Sequence, residues 1–183
     1  MKPFAPSCLS EVLLSTEPAT EHAAKMNLYG RFIGRWDMDV AAFEESGSEH
    51  RSQGEIWFGW ALEGRAIQDV WMIPPCAQRH LASTTAMPVT GNWYGTTLRV
   101  YDPGIDAWHI FWIDPATQFY SRQLGRPRGL DIVQEGTLES GAKTRWSFTE
   151  IKENSFRWLG EVSTDSGATW RRQVDIRARR TGA

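Results

Sequence analysis

The pattern of apolar and polar positions changes about thirty residues into the chain. Leu9 to Leu14 forms a short apolar segment, and a run of helix-forming residues extends from Thr20 to a stop near Gly30. From Gly34 onward, short alternating segments are separated by Gly, Pro, Asn and Asp, which indicates an all-β barrel or sandwich. We therefore predict one domain over residues 1–183, with a helical segment at 1–30 and a β-domain at 31–180.

Ten alternating segments are predicted as strands. Short turns such as Glu63-Gly64 and Asp102-Pro103-Gly104 separate most of them, which favours an antiparallel up-and-down meander. A meander of this length tends to close, because closure removes both exposed edges. The predicted fold is therefore all-β with minor α, an antiparallel up-and-down β-barrel of about ten strands. The strands are Arg35–Phe43, Ser52–Leu62, Arg65–Ile73, Trp93–Tyr101, Ala107–Ile113, Phe119–Leu124, Leu130–Gly136, Thr144–Ile151, Ser155–Ser163 and Thr169–Ala178.

Some of these strands are apolar on both faces. The first, eighth, ninth and last predicted strands have one polar face. Large apolar residues occur at both odd and even positions in three other strands, Ser52–Leu62, Arg65–Ile73 and Ala107–Ile113. Such strands need a cover on their outer face as well. The N-terminal helices or a second subunit could supply it, and we expect a homodimer.

The connection over residues 74–91 is longer than a hairpin turn and too polar for a core element. Loops of this length within a domain are usually functional or disordered. The segment is either a lid over one mouth of the barrel or a surface excursion.

Composition narrows the possible partners and the compartment. Ten tryptophans require a large interior, a lined cavity or an interface. The formal net charge of −2 comes without a basic stripe, so we expect no nucleic-acid partner. Cys8 and Cys76 lack a disulfide or metal-ligand spacing, and no signal peptide or apolar run of membrane-spanning length is visible. We therefore expect a cytoplasmic protein that does not act at a membrane.

The sequence contains no phosphate-binding glycine loop, HExxH, GxSxG or EF-hand pattern. The four histidines are far apart and lack the spacing of zinc ligands. A single histidine can hold haem, and His109 would be the candidate, although an ordinary hydrogen-bonded strand histidine is far more common. We therefore predict neither a metal site nor a cofactor.

Polar residues within the aromatic strands point to a small-molecule pocket. A buried charge is costly unless it is paired, so an inward Arg or Asp lies either in an ion pair or against a ligand. Aromatic walls with a few polar anchors are usual in small-molecule sites, and an Arg anchor suits a carboxylate or phenolate. The predicted ligand-binding residues are Trp36, Gln68, Trp71, Arg99, Trp112, Arg122, Trp146, Trp158 and Arg172.

The segment from Ser163 to Trp170 matches the Asp-box pattern S-x-D-x-G-x-T-W. Proteins with Asp boxes on propeller blades carry several copies, and one copy in this short chain excludes a propeller. We interpret it as a structural hairpin in which Asp165 caps the backbone, Gly167 permits the turn and Trp170 anchors the loop.

Two further patterns resemble known families. Gly34-Arg35-Trp36, on the first strand after a helical entry, resembles the opening of lipocalins and their calycin relatives. That resemblance implies a lipocalin-like barrel in which an arginine from near the end of the barrel packs across Trp36. The candidates for this role are Arg172, Arg177, Arg179 and Arg180.

The longer runs FGWALEGRAIQDVWMIP, YGTTLRVYDPGIDAWHIFWIDP and STDSGATWRRQVDIRARR resemble bacterial lipocalin-like proteins of the DUF1579 type, over about Phe32 to Arg180. Such proteins carry no agreed catalytic motif, so this resemblance assigns no active-site residue.

Three functions follow from these expectations. The leading hypothesis is a barrel that binds a small, largely apolar molecule. The second is a cofactor-independent lyase, isomerase or hydratase in which His109 and Asp69 perform acid–base chemistry, which requires the two side chains to converge inside the cavity. The third is a solid structural scaffold without a cavity.

Overall fold

Ten long antiparallel strands form a closed barrel in this computed structural model, which describes residues 8–79 and 92–182. Three short helices and a two-residue strand accompany them. The elements are α1 (Leu9–Leu13), β1 (Leu14–Ser15), α2 (Ala23–Gly30), β2 (Gly34–Phe43), β3 (Glu49–Ala61), β4 (Ala66–Ile73), α3 (Cys76–Arg79), β5 (Trp93–Asp102), β6 (Ala107–Asp114), β7 (Phe119–Arg128), β8 (Asp131–Thr137), β9 (Lys143–Thr149), β10 (Ser155–Ser163) and β11 (Arg171–Arg180).

Each barrel strand pairs with the strands next to it along the chain. The barrel closes where β11 pairs with β2, with Ala178 opposite Met38. β1 pairs with Trp60 and Ala61 of β3, beyond the point at which β2 begins opposite Phe58. The predicted up-and-down barrel of ten strands with a short helical N-terminal segment is confirmed, and the strand bounds differ from the prediction by a few residues.

Helix α2 and the residues after it close one end of the barrel. Met26, Tyr29 and Phe32 are buried, and the Phe32 ring stacks on Phe148 with 4.7 Å between centroids. Helix α2 and the segment after it therefore contribute their buried apolar side chains to the interior.

Arg180 is the arginine that packs across the first-strand tryptophan. Its guanidinium lies 4.2 Å from the ring centroid of Trp36 and donates to the carbonyl oxygens of Ile33 at 2.7 Å and Arg31 at 2.9 Å. The Trp36 indole is fully buried and donates to the carbonyl oxygen of Phe32 at 2.7 Å. The arrangement implied by the lipocalin resemblance is thus present at this end.

The outer face of the β5–β7 region remains apolar and exposed. Phe111 is 39% exposed, Ile113 48% and Tyr120 57%. Of the two covers considered, the N-terminal helices leave these side chains exposed, because α2 packs into the barrel end and the strand after α1 pairs with β3. The homodimer stays a prediction.

The long connection after β4 begins with two prolines and α3. The Arg79 guanidinium of α3 donates to the carbonyl oxygens of Ile73 at 2.8 Å and Trp93 at 3.0 Å, which ties the end of β4 to the start of β5. Residues 80–91 lie outside the described residues, so the choice between a lid and a surface excursion stays open.

The Asp-box segment forms the hairpin between β10 and β11. The Asp165 carboxylate accepts hydrogen bonds from the Thr169 hydroxyl at 2.6 Å, the Thr169 backbone N–H at 2.9 Å and the Ser163 hydroxyl at 2.7 Å. The Trp170 indole donates to the carbonyl oxygen of Gly167 at 3.1 Å. The geometry fits the structural role that the motif predicts.

We expect Asp165→Asn to remove part of the acid sensitivity of folding. Hydrogen bonds from the Thr169 side chain, the Thr169 backbone and Ser163 hold the pKa of Asp165 well below its ordinary value of 3.8. A carboxylate with a depressed folded pKa stabilises the protein above its unfolded pKa, and that contribution is lost as pH falls through the folded pKa. The melting temperature of the variant, measured from about pH 6 down to about pH 2, should fall less steeply below about pH 4 than that of the parent. Two parallel curves would contradict this role.

Candidate functional site

A cavity of about 340 Å³ lies inside the barrel, toward the end opposite α2. The last residues of β2 and β6 and the first residues of β5 and β7 contribute to its wall. These strand ends lie at the barrel end opposite α2, because α2 precedes the first residue of β2. The described lining residues are Ala42, Phe43, Trp71, Trp93, Thr97, Arg99, Trp112, Asp114, Thr117, Phe119, Trp146, Trp158, Gly160, Gln173 and Val174. The third predicted alternative, a solid structural scaffold without a cavity, therefore does not describe this structure.

Four tryptophans in the cavity wall form a closed ring of aromatic contacts with one another. Trp71 contacts Trp112 at 6.4 Å and Trp158 at 5.4 Å between ring centroids. Trp146 contacts Trp158 at 5.7 Å and Trp112 at 6.5 Å, which completes the ring. Trp93 adds a fifth ring 6.5 Å from Trp112. The described wall of the cavity is therefore largely aromatic.

Two inward-facing glycines leave room for these large rings. A Cβ at Gly95 would come 2.5 Å from the Trp112 ring, and one at Gly160 would come 3.0 Å from the Trp158 ring. The small residues thus allow bulky neighbours on adjacent strands to share one layer of the interior.

A buried ion pair forms part of the polar side of the cavity. Arg99 is 2% exposed and its guanidinium contacts the Asp69 carboxylate, which is also buried. The other Asp69 oxygen accepts from the Thr97 backbone N–H at 2.9 Å. The guanidinium carbon also lies 5.1 Å from the Tyr29 ring and 5.6 Å from the Phe58 ring. Arg99 is therefore held by both charge and aromatic faces.

Several buried polar atoms here have no hydrogen-bond partner among the described residues. Two are donors of lining residues, the Nε1 of Trp71 and the Nε of Arg99. The Tyr29 hydroxyl and the amide of Gln134 are also unpaired deeper in the barrel. Burial raises the pKa of Tyr29, so this hydroxyl is neutral at physiological pH.

Asp114 supplies a carboxylate at the other end of the cavity. It is 1% exposed, and its oxygen accepts from the backbone N–H groups of Ala116 at 2.9 Å and Thr117 at 3.3 Å. These bonds fix the turn that leads into β7, so the carboxylate is held in place by the fold.

Five of the predicted binding residues line this cavity. They are Trp71, Arg99, Trp112, Trp146 and Trp158. Their contact with a ligand stays a prediction. Trp36, which was expected in the wall, instead lies at the closed end beneath Arg180 and does not line the cavity.

Three predicted anchors lie on the outer face of the barrel and do not reach the cavity. Gln68 donates to the Thr96 hydroxyl at 3.0 Å, because residue 68 has the opposite phase to the inward Asp69 and Trp71. Arg122 lies 5.7 Å from the centroid of the exposed Phe111 ring, since the inward residue on that stretch of β7 is Gln123.

Arg172, the third of these anchors, faces outward because of a β-bulge. The register passes from Gly160 opposite Val174 to Glu161 opposite Arg172, which leaves Gln173 as an extra residue. The bulge reverses the alternation, so Gln173 and Val174 line the cavity while Arg172 pairs with Asp175 at 3.3 Å outside.

The expected acid–base pair does not form. His109 lies on the outer face, where its Nε2 is 3.0 Å from the Asp102 carboxylate, while Asp69 lies inside with Arg99. The hydrogen bond with His109, followed by that from the Gly104 backbone, lowers the pKa of Asp102. From its outer position His109 also cannot serve as an internal haem ligand. Among the described residues, no three His, Cys, Asp or Glu side chains form a group that could hold a metal ion.

The lining residues that sequence reasoning missed include Trp93, Asp114, Phe119 and Gln173. Trp93 could have been found, because it shares its phase along β5 with Thr97 and Arg99. Gln173 could not, because nothing in the local pattern marks the bulge.

The fold and the cavity together define a ten-stranded lipocalin-like β-barrel with an aromatic interior. Its fold is similar to that of Rv2717c from M. tuberculosis, with a TM-score of 0.54 and 12% identity over 86% of this chain and 98% of that one. A weaker match is the S-type phycobiliprotein lyase CPES from Guillardia theta, at a TM-score of 0.38 and 8% identity over 91% of this chain and 99% of that one.

No family model matches the chain, and no curated protein is significantly similar to it. The DUF1579-type resemblance therefore stays a prediction. In the described part of the chain, no helix is long and apolar enough to cross a membrane. The cytoplasmic location stays a prediction.

Proposed function

We propose that this protein binds a small, largely apolar molecule in the barrel cavity. The observation that carries the proposal is a cavity of about 340 Å³ whose wall contains four tryptophans in mutual contact. This volume lies near the lower end of the range of about 300–1,000 Å³ for small-molecule pockets, so the ligand is compact. Aromatic walls on several sides favour a flat ring system over a flexible chain.

Binding is the role we propose because the acid–base pair of the alternative enzyme does not assemble. His109 and Asp69 are separated by the barrel wall, and Asp69 is already paired with Arg99. A lyase, isomerase or hydratase on this scaffold would need another acid or base.

We expect Ala42→Phe to block the cavity. Ala42 is buried on the inner face of β2 and lines the cavity next to Val174, so a phenyl group there takes up the space that the ligand would occupy. The affinity for the neutral fluorescent probe N-phenyl-1-naphthylamine should fall about tenfold or more, while overpacking costs about 1–3 kcal/mol of stability.

The matched control is Ala41→Phe. Ala41 is the neighbouring residue of β2 and faces outward, so the same substitution adds the ring outside the barrel. Probe titration of both variants, with circular dichroism to confirm folding, checks the proposal. Equal affinities for the two folded variants, or no binding by the parent protein, would speak against a ligand in this cavity.

A further inference from the structure

The outer face of β3 to β7 carries a continuous apolar surface. Its exposed members, which we call the outer apolar patch, are Trp57, Tyr94, Phe111, Ile113 and Tyr120. Strand pairing places three of them in one row that crosses five neighbouring strands. The row consists of Trp57, Val70, Thr96, Ile113 and Tyr120, and none of these side chains is charged. A contiguous exposed apolar surface of this kind marks an interaction site.

The outer face of β9, β10, β11 and β2 has the opposite character. It carries cross-strand ion pairs of Arg145 with Glu161, Arg157 with Asp175, and Arg179 with Asp39. Charged side chains of this kind suit a sheet face that stays in water. The outside of one barrel is therefore divided between a face made for solvent and a face that solvent contact disfavours.

The border of the patch favours a protein as the occupant over a membrane surface. Charged side chains of both signs lie there. They include Arg35, Arg79 and Arg122, which lie over the rings of Trp57, Tyr94 and Phe111 at 5.3, 4.7 and 5.7 Å, and the carboxylates of Asp37, Glu55 and Asp102. A polar rim of mixed sign around an apolar centre is the usual composition of a protein interface. A surface for anionic lipids carries an excess of Lys and Arg instead.

The patch is complementary to itself in character and in size. Its central row has no charge whose sign a partner must match, so the same row on a second copy can pack against it about a two-fold axis. Half-exposed side chains of about 150–250 Å² each give roughly 500 Å² per chain, and about 1,000 Å² for two copies. About 1,000 Å² is the size at which an interface becomes specific. The partly exposed Val70, Thr96 and Leu98 add to this area.

We infer that a second copy of this chain covers the outer apolar patch, in a two-fold dimer through β3 to β7. This gives the expected homodimer a defined contact surface. The patch residues Tyr94, Ile113 and Tyr120 each lie next in sequence to a residue of the cavity wall, so the partner packs on the outer side of that wall. The association requires no ligand, so its test is separate from that of the proposed binding function.

Sedimentation velocity of the full chain at several concentrations tests the association. We expect a species of twice the chain mass of 20.8 kDa at about 100 μM, which dissociates on dilution because the contact area is close to the lower limit. Ile113→Glu should raise the dissociation constant about a hundredfold or more, since two-fold symmetry buries the added carboxylate twice. Trp57→Glu, at the other end of the row, should have a similar effect.

The matched control is Ile105→Glu. Ile105 is 46% exposed and Ile113 is 48% exposed, so the two substitutions change equally accessible isoleucines in the same way. Ile105 lies in the turn between β5 and β6, at the end of β6 that is remote from Ile113. The control should change the dissociation constant less than about twofold. Circular dichroism shows whether each variant is folded.

Three results would overturn the inference. The first is a parent protein that remains a monomer at about 100 μM. The second is a dimer that Ile113→Glu and Ile105→Glu weaken equally, because the contact would then lie elsewhere. The third is a monomer that sediments with vesicles of phosphatidylcholine and phosphatidylglycerol and loses this binding only through Ile113→Glu, which would make a lipid surface the occupant. Probe binding in the cavity is measured separately, and none of these results decides it.

Discussion

Arg99→Met should destabilise the protein by about 3–5 kcal/mol, the largest stability effect that we expect from a single substitution. The methionine replaces the aliphatic part of the side chain, but it removes the guanidinium and leaves the Asp69 carboxylate buried without its counter-charge. The thioether also gives up the interaction of the guanidinium with the faces of Tyr29 and Phe58. Urea unfolding followed by far-ultraviolet circular dichroism measures the loss, because fluorescence would report on the altered tryptophan environment as well.

Two further variants show that the effect comes from the buried charge. Adding Asp69→Asn to Arg99→Met removes the unpaired carboxylate and should restore a large part of the lost stability. Arg179→Met breaks an ion pair with Asp39 in which both side chains are well exposed, and it should cost less than about 1 kcal/mol. A loss below about 1 kcal/mol for Arg99→Met would mean that the pair is not buried as described.

Arg180→Ala should destabilise the protein by about 2–4 kcal/mol, because the guanidinium connects three parts of the closed end. It lies over the Trp36 ring and donates to the carbonyl oxygens of Ile33, Arg31 and Glu153. Alanine leaves these carbonyl groups without their donor and uncovers the face of a fully buried indole. Thermal and urea unfolding of the variant measure the effect.

The planar shape of the guanidinium should matter as much as its charge. Arg180→Lys keeps the charge but cannot form the same fork of hydrogen bonds or stack on the indole, so its stability should lie between the parent and Arg180→Ala. Arg177→Ala, at an exposed arginine of the same strand, should change stability by less than about 0.5 kcal/mol. Equal losses for Arg180→Ala and Arg177→Ala would contradict the role of Arg180.

Alternation along single strands also constrains which residues can share the cavity wall. On β4, Gln68 and Trp71 have opposite phase, so both cannot face the cavity. On β6, His109 is out of phase with Trp112 in the same way. Alternation therefore separates Gln68 from Trp71 and His109 from Trp112, but it does not say which face is the inner one, because both strands are apolar on both faces; the structure turns Trp71 and Trp112 inward. The common phase of Trp93 and Arg99 likewise places these two residues on one face of β5, and the structure shows that this face lines the cavity.

The sequence by itself determined the antiparallel barrel, its strand segments, the helical entry, the Asp-box hairpin and the aromatic interior. These features depend on residues close together along the chain, where period-two alternation and turn residues act locally. The cross-strand partners were decided only by the tertiary structure. Asp69 meets Arg99 because β4 and β5 pair in one register, and Arg180 reaches Trp36 because β11 closes on β2.

The bulge at Gln173 belongs to the same class of features. It places Arg172 outside and Gln173 inside, and it arises where β11 adjusts to the register of β10. Register, bulges and closure depend on the packing of all strands around one core, so no short window of sequence specifies them. That is why the aromatic wall of the cavity could be anticipated from the sequence, whereas the pairing of Arg99 with Asp69 could not.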